Sequence, residues 1–144
     1  IKSNDNRSKI LLERVNQILN RKIRNKKIAF LGVTFKANTD DMRDSSSLKM
    51  IPWLSKKGAI IKYFDPTGYK SEFLKLKNVS NMASIKEAVQ GSDLVIIHTE
   101  WNDFKSINFK SLVKGKKFII FDMRNIYSPL KIKEQGFKYY SVGK

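Results

Sequence analysis

Residues 27–43 read KIAFLGVTFKANTDDMR: a short apolar run, one glycine, and a loop rich in polar and charged side chains. An apolar run of this length between charges and a glycine marks a strand buried on both faces, as in the centre of a parallel sheet. Gly32, directly after it, stands where a dinucleotide-binding fold opens its phosphate loop. That fingerprint needs three glycines in the pattern G-x-G-x-x-G. Here a single glycine is followed by Lys36 and Arg43, seven residues apart. Two cations in place of two glycines predict a loop that meets phosphate with side chains.

Outward from this stretch, further apolar runs repeat the signal. AIIKYFD (59–65), DLVIIHT (93–99), KFIIFD (117–122) and FKYYSVG (137–143) read as strands. Between them lie helical segments. SSSLKMIPWLSKKG (45–58) starts at serines, carries Leu48, Ile51 and Leu54 on one face and stops at Gly58. Pro52 inside it predicts a kink or a late start. PTGYKSEFLKL (66–76) reads as a turn and a short helix, and SIKEAVQG (84–91) as a capping box of Ser84 with Glu87. The segment from Glu100 to Gly115 reads as loop and short helix, and SPLKIKEQG (128–136) as a last helical turn or two. Upstream, residues 5–24 place Leu11, Val15, Ile18 and Leu19 at helical spacing behind Asn4 and Asp5 as caps. Strands alternating with helices through short loops predict an α/β class fold. The expectation is a Rossmann-like open parallel sheet with helices on both faces, a single domain preceded by an N-terminal helix.

At 144 residues the chain has the size of one domain, able to bury roughly 70% of its unfolded surface. It has no cysteine and one histidine, His98, which excludes disulfides, thiolate metal sites, cysteine nucleophiles and multi-histidine metal centres. No apolar run approaches the ~20 residues that cross a bilayer. A cytoplasmic address without membrane contact is expected. The net charge of +16 would attract nucleic acid or phosphorylated molecules. The lysines are spread along the chain and are not interleaved with aromatics as in single-strand binders, so nucleic acid is not the favoured partner.

In open parallel sheets ligands sit beyond the carboxyl ends of the strands. The residues just past those ends are Val33 to Arg43, Asp65, His98 to Glu100, and Asp122 to Arg124. Lys36, Arg43 and Arg124 therefore converge on one edge, a set suited to a nucleotide diphosphate. Asp65 reads first as the brace of a strand-end turn and second as a ligand contact, since it follows Gly32 by 33 residues where a ribose-binding acid follows by ~20. His98 reads first as a histidine satisfied by its neighbours and second as a general base. Asp40 and Asp41 read as loop braces beside Arg43, and Trp101 and Phe104 as packing before base stacking. No nucleophile, base and orienter can be assembled from these pieces. Neither catalytic residues nor metal ligands are therefore assigned.

KIAFLGVTFKANTDDMRDSSSLKMIPWLSKKGAIIKYFDP, with DLVIIHTEWNDF and FIIFDMRNIY further on, resembles the C-terminal, UDP-sugar-binding domain of the UDP-glucose 6-dehydrogenases, within the UDP-glucose/GDP-mannose dehydrogenase family. The resemblance covers essentially the whole chain, and its F-K-x-N-T-D-D-x-R block is highly specific. It implies residues 1–26 as the end of a central linking helix and 27–144 as the UDP-sugar-binding domain. It further implies a complete enzyme that oxidises UDP-glucose to UDP-glucuronate with two NAD, as a homodimer, with the NAD-binding fingerprint and the cysteine nucleophile upstream of this chain. On that pattern Phe35 and Lys36 contact the UDP-sugar, Arg124 contacts its sugar end, and Arg43 reaches NAD held by another domain. The family more usually has glycine where Met123 stands. The resemblance implies that the chain is a piece of a dehydrogenase, inactive alone, whose helix 5–24 would expose an apolar face. Alternatives left open are a dehydrogenase of UDP-N-acetyl hexosamine or GDP-mannose, a basic nucleic-acid-binding module, and a stand-alone nucleotide-sugar sensor.

Overall fold

The computed structural model describes residues 2–142, and the side chains from Asn6 to Val142. Six strands form one sheet: β1 (Lys27–Leu31), β2 (Ile60–Phe64), β3 (Val79–Asn81), β4 (Leu94–Ile97), β5 (Ile119–Asp122) and β6 (Tyr139–Ser141). Their order is β3-β2-β1-β4-β5-β6, and every neighbouring pair is parallel. Chain order runs outward from β1 to one edge, returns to the centre, and runs outward again from β4. The switch point thus falls between β1 and β4, where Ile28 pairs with Leu94 and Leu31 with Ile97.

Alternation along β1 assigns its residues to two cores. Ile28 and Phe30 face a cluster that includes Ile61, Tyr63, Leu94, Ile96, Phe121 and Met123. That face is covered by α1 (Lys2–Ile18) and α2 (Ser47–Lys56), through Leu11, Val15 and Ile18 of the first and Met50, Ile51 and Leu54 of the second. Ala29 and Leu31 face the other cluster with Val95, Ile97 and Ile120. There α3 (Ile85–Val89), α4 (Asn102–Lys105) and α5 (Pro129–Glu134) contribute Ala88, Val89, Phe104 and Ile132. β1 and β4 are buried on both faces, which is why their sequences are unbroken apolar runs. Phe30 has no exposed surface, and truncating such a ring to alanine costs about 3–5 kcal/mol.

The α/β architecture with helices on both faces is as expected, and several boundaries move. The first helix ends at Ile18, not at residue 24, because Asn20, Arg21 and Asn25 all take positive φ and turn the chain. Asn4 and Asp5 lie inside α1, which starts at Lys2, rather than ahead of it as caps. The apolar face of α1 is not exposed: Leu11, Leu12, Val15, Ile18 and Leu19 are buried in the core shared with α2 and the sheet. α2 runs through Pro52 without the late start that the proline suggested. Residues 66–76 hold only a 3-10 turn at Ser71–Phe73, and β3, a short half-exposed edge strand, was not anticipated. Ser84 caps α3 as expected, its hydroxyl accepting from the Glu87 amide at 3.1 Å.

Candidate functional site

The carboxyl ends of β1, β4 and β5 lie side by side, and the loops that leave them meet. Gly32 makes this approach possible. Its φ is +80°, and a Cβ there would come within 2.5 Å of the Thr99 Cβ and 2.7 Å of its hydroxyl. The loop after β1 is then fixed by a buried carboxylate. Asp65, at the end of β2, accepts from the Val33 and Thr34 amides through Oδ2 at 2.8 and 3.3 Å. Its Oδ1 accepts from the Thr67 amide and hydroxyl at 2.9 and 2.6 Å. Lys70 donates to that hydroxyl in turn, so a cation stands one hydrogen bond behind the carboxylate. Both oxygens of Asp65 are therefore committed to holding backbone and turn, the first of the two readings made from sequence.

His98 is fully enclosed. Thr99 Oγ1 donates its only proton to the Thr34 carbonyl at 3.0 Å, so toward His98 Nδ1, also at 3.0 Å, it must accept. That assigns the proton of the imidazole to Nδ1 and leaves Nε2 to accept from the Ser46 hydroxyl at 2.8 Å. Burial first, and then the charges of Arg124 and Arg7, push the imidazole pKa down to about 3. A neutral ring with both nitrogens engaged and no solvent access is a structural spacer rather than a general base. It ties the amino end of α2 to the switch point.

Arg124 follows β5. Its own amide donates to Asp122 Oδ1 at 3.0 Å. The guanidinium donates from Nε to the His98 carbonyl at 2.9 Å and from Nη2 to the Phe35 carbonyl at 3.3 Å. Asp122 is itself held by the Tyr127 amide at 3.1 Å and the Tyr139 hydroxyl at 2.7 Å on Oδ2. Met123, where a glycine was the more usual residue, is buried in the core under α1 and α2, so its side chain leaves the course of Arg124 clear.

A cavity of about 300 Å³ opens among these loops, lined by Arg7, Phe35, Lys36, Asp44, Ser46, Glu100 and Arg124. Phe35, Lys36 and Arg124 are thus brought together. Arg43 is not among the lining residues. Its side chain, 88% exposed, lies against Asp41 in a two-pronged contact of 3.0 and 3.1 Å. Asp41 is braced as the sequence suggested, accepting from the Arg43 amide at 2.9 Å as well. Trp101 and Phe104 are buried in the core on the α4 side, again packing rather than presenting rings to solvent. Two larger cavities, of about 450 and 430 Å³, flank α1. They are lined mainly by α1 side chains, and a fourth cavity of about 310 Å³ lies among Lys26, Asp93 and Lys138 at the amino ends of the strands, so the charged cavity at the carboxyl ends of β1, β4 and β5 is the functional candidate.

Residues 29–129 match the UDP binding domain of the UDP-glucose/GDP-mannose dehydrogenase family. The chain belongs to that family. The UDP-glucose 6-dehydrogenase of Rickettsia felis is 37% identical over 146 residues, covering 99% of this chain and 33% of its own length. The corresponding enzyme of Rhizobium meliloti is 36% identical over 142 residues, covering 98% of this chain and 32% of its own. Among solved structures, the UDP-D-ManNAc dehydrogenase of Pyrococcus horikoshii superposes with a TM-score of 0.69 at 28% identity, over 94% of this chain and 30% of that one. The chain spans about a third of the length of these relatives.

Within this family member, two lining residues escaped the sequence reading. Ser46 was visible as part of a serine cluster, but that pattern reads as helix capping and gives no hint of a hydroxyl held by a buried histidine. Arg7 lies on a helix distant in sequence, and only the packing of α1 against α2 brings it to the cavity. Among the described residues no group of three or more His, Asp or Glu is placed to hold a metal, and no helix is long and apolar enough to cross a membrane.

Proposed function

We propose that this chain is the UDP-sugar-binding domain of a UDP-glucose 6-dehydrogenase, which oxidises UDP-glucose to UDP-glucuronate with two NAD. The observation that carries this reading is the gathering of Phe35, Lys36 and Arg124 on one polar cavity beside the switch point. Lys36 supplies a mobile charge for the diphosphate. Arg124, pinned by two carbonyls, keeps its remaining donors in a fixed geometry for the sugar end. Phe35, 42% exposed, offers a ring face for the nucleotide. The identity to curated UDP-glucose 6-dehydrogenases supports glucose over other hexoses.

The redox chemistry in this reading belongs to parts of the enzyme outside these residues. The chain has no cysteine to carry a thioester, and its single histidine is neutral and enclosed. No G-x-G-x-x-G loop follows β1, so the residues present do not cradle a dinucleotide. The contribution to NAD is one exposed cation, Arg43, oriented by Asp41 toward a cofactor held by another domain. The complete enzyme is read as a cytoplasmic homodimer.

Titrating the labelled chain with UDP, UDP-glucose, UDP-N-acetylglucosamine and GDP-mannose tests the reading by NMR. Saturable shifts at Phe35, Lys36 and Arg124 at millimolar uridine nucleotide are expected, and preference for GDP-mannose would reassign the substrate. NADH production by these 144 residues alone would contradict the placement of the chemistry elsewhere.

A further inference from the structure

Arg7 is the residue of this cavity that neither the loop motif nor the strand-end rule accounts for. It stands on α1, one position before Ser8, which is buried, and four before Leu11, which is sealed into the core. Its side chain lines the same 300 Å³ space as Lys36 and Arg124. Three cations therefore reach one cavity from three separate parts of the chain: α1, the loop after β1 and the loop after β5. Only two carboxylates, Asp44 and Glu100, share the lining. Among the described residues the ion pairs are made by Glu13, Asp41 and Asp93, none of which lines this space. Three cations against two carboxylates leave the lining one positive charge in excess, which an anionic ligand would neutralise. At Arg124 burial disfavours the charged form most, Glu100 opposes that, and Arg7 adds a smaller push toward neutrality; at His98 Arg7 acts after burial and Arg124.

We propose that Arg7 is a further anion-binding residue of this cavity, contacting the same diphosphate as Lys36 while Arg124 meets the sugar end, so that ligand binding fastens the start of α1 to the sheet edge. The inference rests on the UDP-sugar reading and adds to it a residue and a consequence. α1 is anchored to the domain by Leu11, Val15 and Ile18, while Asn6 and Arg7, just before the buried Ser8, are exposed. A bound diphosphate would add a tether through Arg7, making the linking helix an element that responds to occupancy.

The test uses the chain with UDP, inorganic pyrophosphate and uridine as probes, and the variants R7Q, R7K, K36Q and K22Q. Lys22 is exposed and does not line the cavity, so K22Q controls for the general loss of one positive charge. R7Q should weaken UDP and pyrophosphate about tenfold, in line with a charge-assisted hydrogen bond, and leave uridine unchanged. R7K should fall between R7Q and the parent because it keeps the charge and loses the fork. UDP should slow amide exchange over residues 6–11 in the parent and not in R7Q. Thermal unfolding without ligand should be the same for R7Q and the parent, since Arg7 is exposed. If R7Q behaves as K22Q does while K36Q loses UDP, the inference falls and the UDP-sugar reading stands. If the parent shows no response to millimolar UDP, both fall.

Discussion

The Nε–H of Arg124 donates to the main-chain carbonyl of His98 at 2.9 Å, which makes the loop after β5 a strut for the end of β4. A second bond, to the Phe35 carbonyl at 3.3 Å, extends the strut to the loop after β1. One guanidinium therefore sets the mutual position of three strand ends while also lining the cavity they form. Lysine carries its three donors on one nitrogen and lacks the separate Nε and Nη2 groups with which the planar guanidinium reaches the two carbonyls. Arg124→Lys should cost about 1–2 kcal/mol of stability, the worth of the lost bond and its unpaired carbonyl. It should weaken UDP-glucose about tenfold or more in calorimetric titration, and an unchanged affinity would show that the side chain serves the fold alone.

His98 gives the domain an acid-sensitive core. Its pKa is pushed down to about 3 in the folded state, against ~6.5 in an unfolded chain. Below that upper value the unfolded state takes up a proton that the folded state refuses, so stability falls with pH by about 1.4 kcal/mol per pH unit. The decline ends where the folded imidazole is itself protonated. Above pH ~6.5 the ring is neutral in both states and contributes no slope. Carboxylates such as Asp93, lowered through Lys116 and the Lys27 amide despite partial burial, also lose stability in acid, but they are common to any His98 variant. Urea unfolding of the parent and of His98→Gln at pH 7 and pH 5 isolates the difference. The parent should lose about 2 kcal/mol more than the variant over that interval.

What could be read ahead of the structure follows from where the signal is local. Residues 28–31 and 94–97 are buried on both faces, so their apolar runs announced themselves. Val79–Asn81 forms three residues of edge strand with one partner and little burial, leaving no periodicity to detect. The end of α1 was misplaced because Leu19 and Ile23 continue the apolar spacing, while the turn is made by asparagines and an arginine at positive φ. At the site, Lys36 and Arg124 could be placed at one edge because strand ends of a parallel sheet must converge, whereas Phe35 was marked only by the family resemblance. Arg43 shared their loop in sequence, yet a two-pronged bond to Asp41 holds it away from the lining. Arg7 and Ser46 depended on how two helices pack over the sheet, which no short stretch of sequence records.

Gly32 is the point where the fold and the site meet, and it tolerates no side chain. An alanine there would carry φ +80° and a Cβ 2.5 Å from that of Thr99. The left-handed backbone costs about 1–2 kcal/mol and the overlap about 1–3 more. Gly32→Ala should therefore unfold at markedly lower urea, by about 2–5 kcal/mol in all. Because Thr99 also holds His98 and the Thr34 carbonyl, the loss should come with altered amide shifts at Ser46. A variant with parent-like stability would mean that the ends of β1 and β4 stand further apart than described.

On the proposed reading, Arg43 serves NAD and not the UDP-sugar. It is exposed, neither it nor its partner Asp41 lines the cavity, and their contact favours the charged arginine while keeping the aspartate below its usual carboxylate range. Solvent screens such a pair, so its loss should leave the unfolding transition of the chain where it was. The affinity of the chain for UDP should also hold in Arg43→Ala, since Lys36 and Arg124 remain. In an intact enzyme containing this domain, the same substitution should raise the KM for NAD with little change in that for UDP-glucose, because only the contact made across the interdomain cleft has gone. Asp41→Asn, which frees the arginine without removing it, should raise the KM for NAD by a smaller factor. A rise in the UDP-glucose KM equal to that for NAD would instead place Arg43 with Lys36 on the sugar side of the loop.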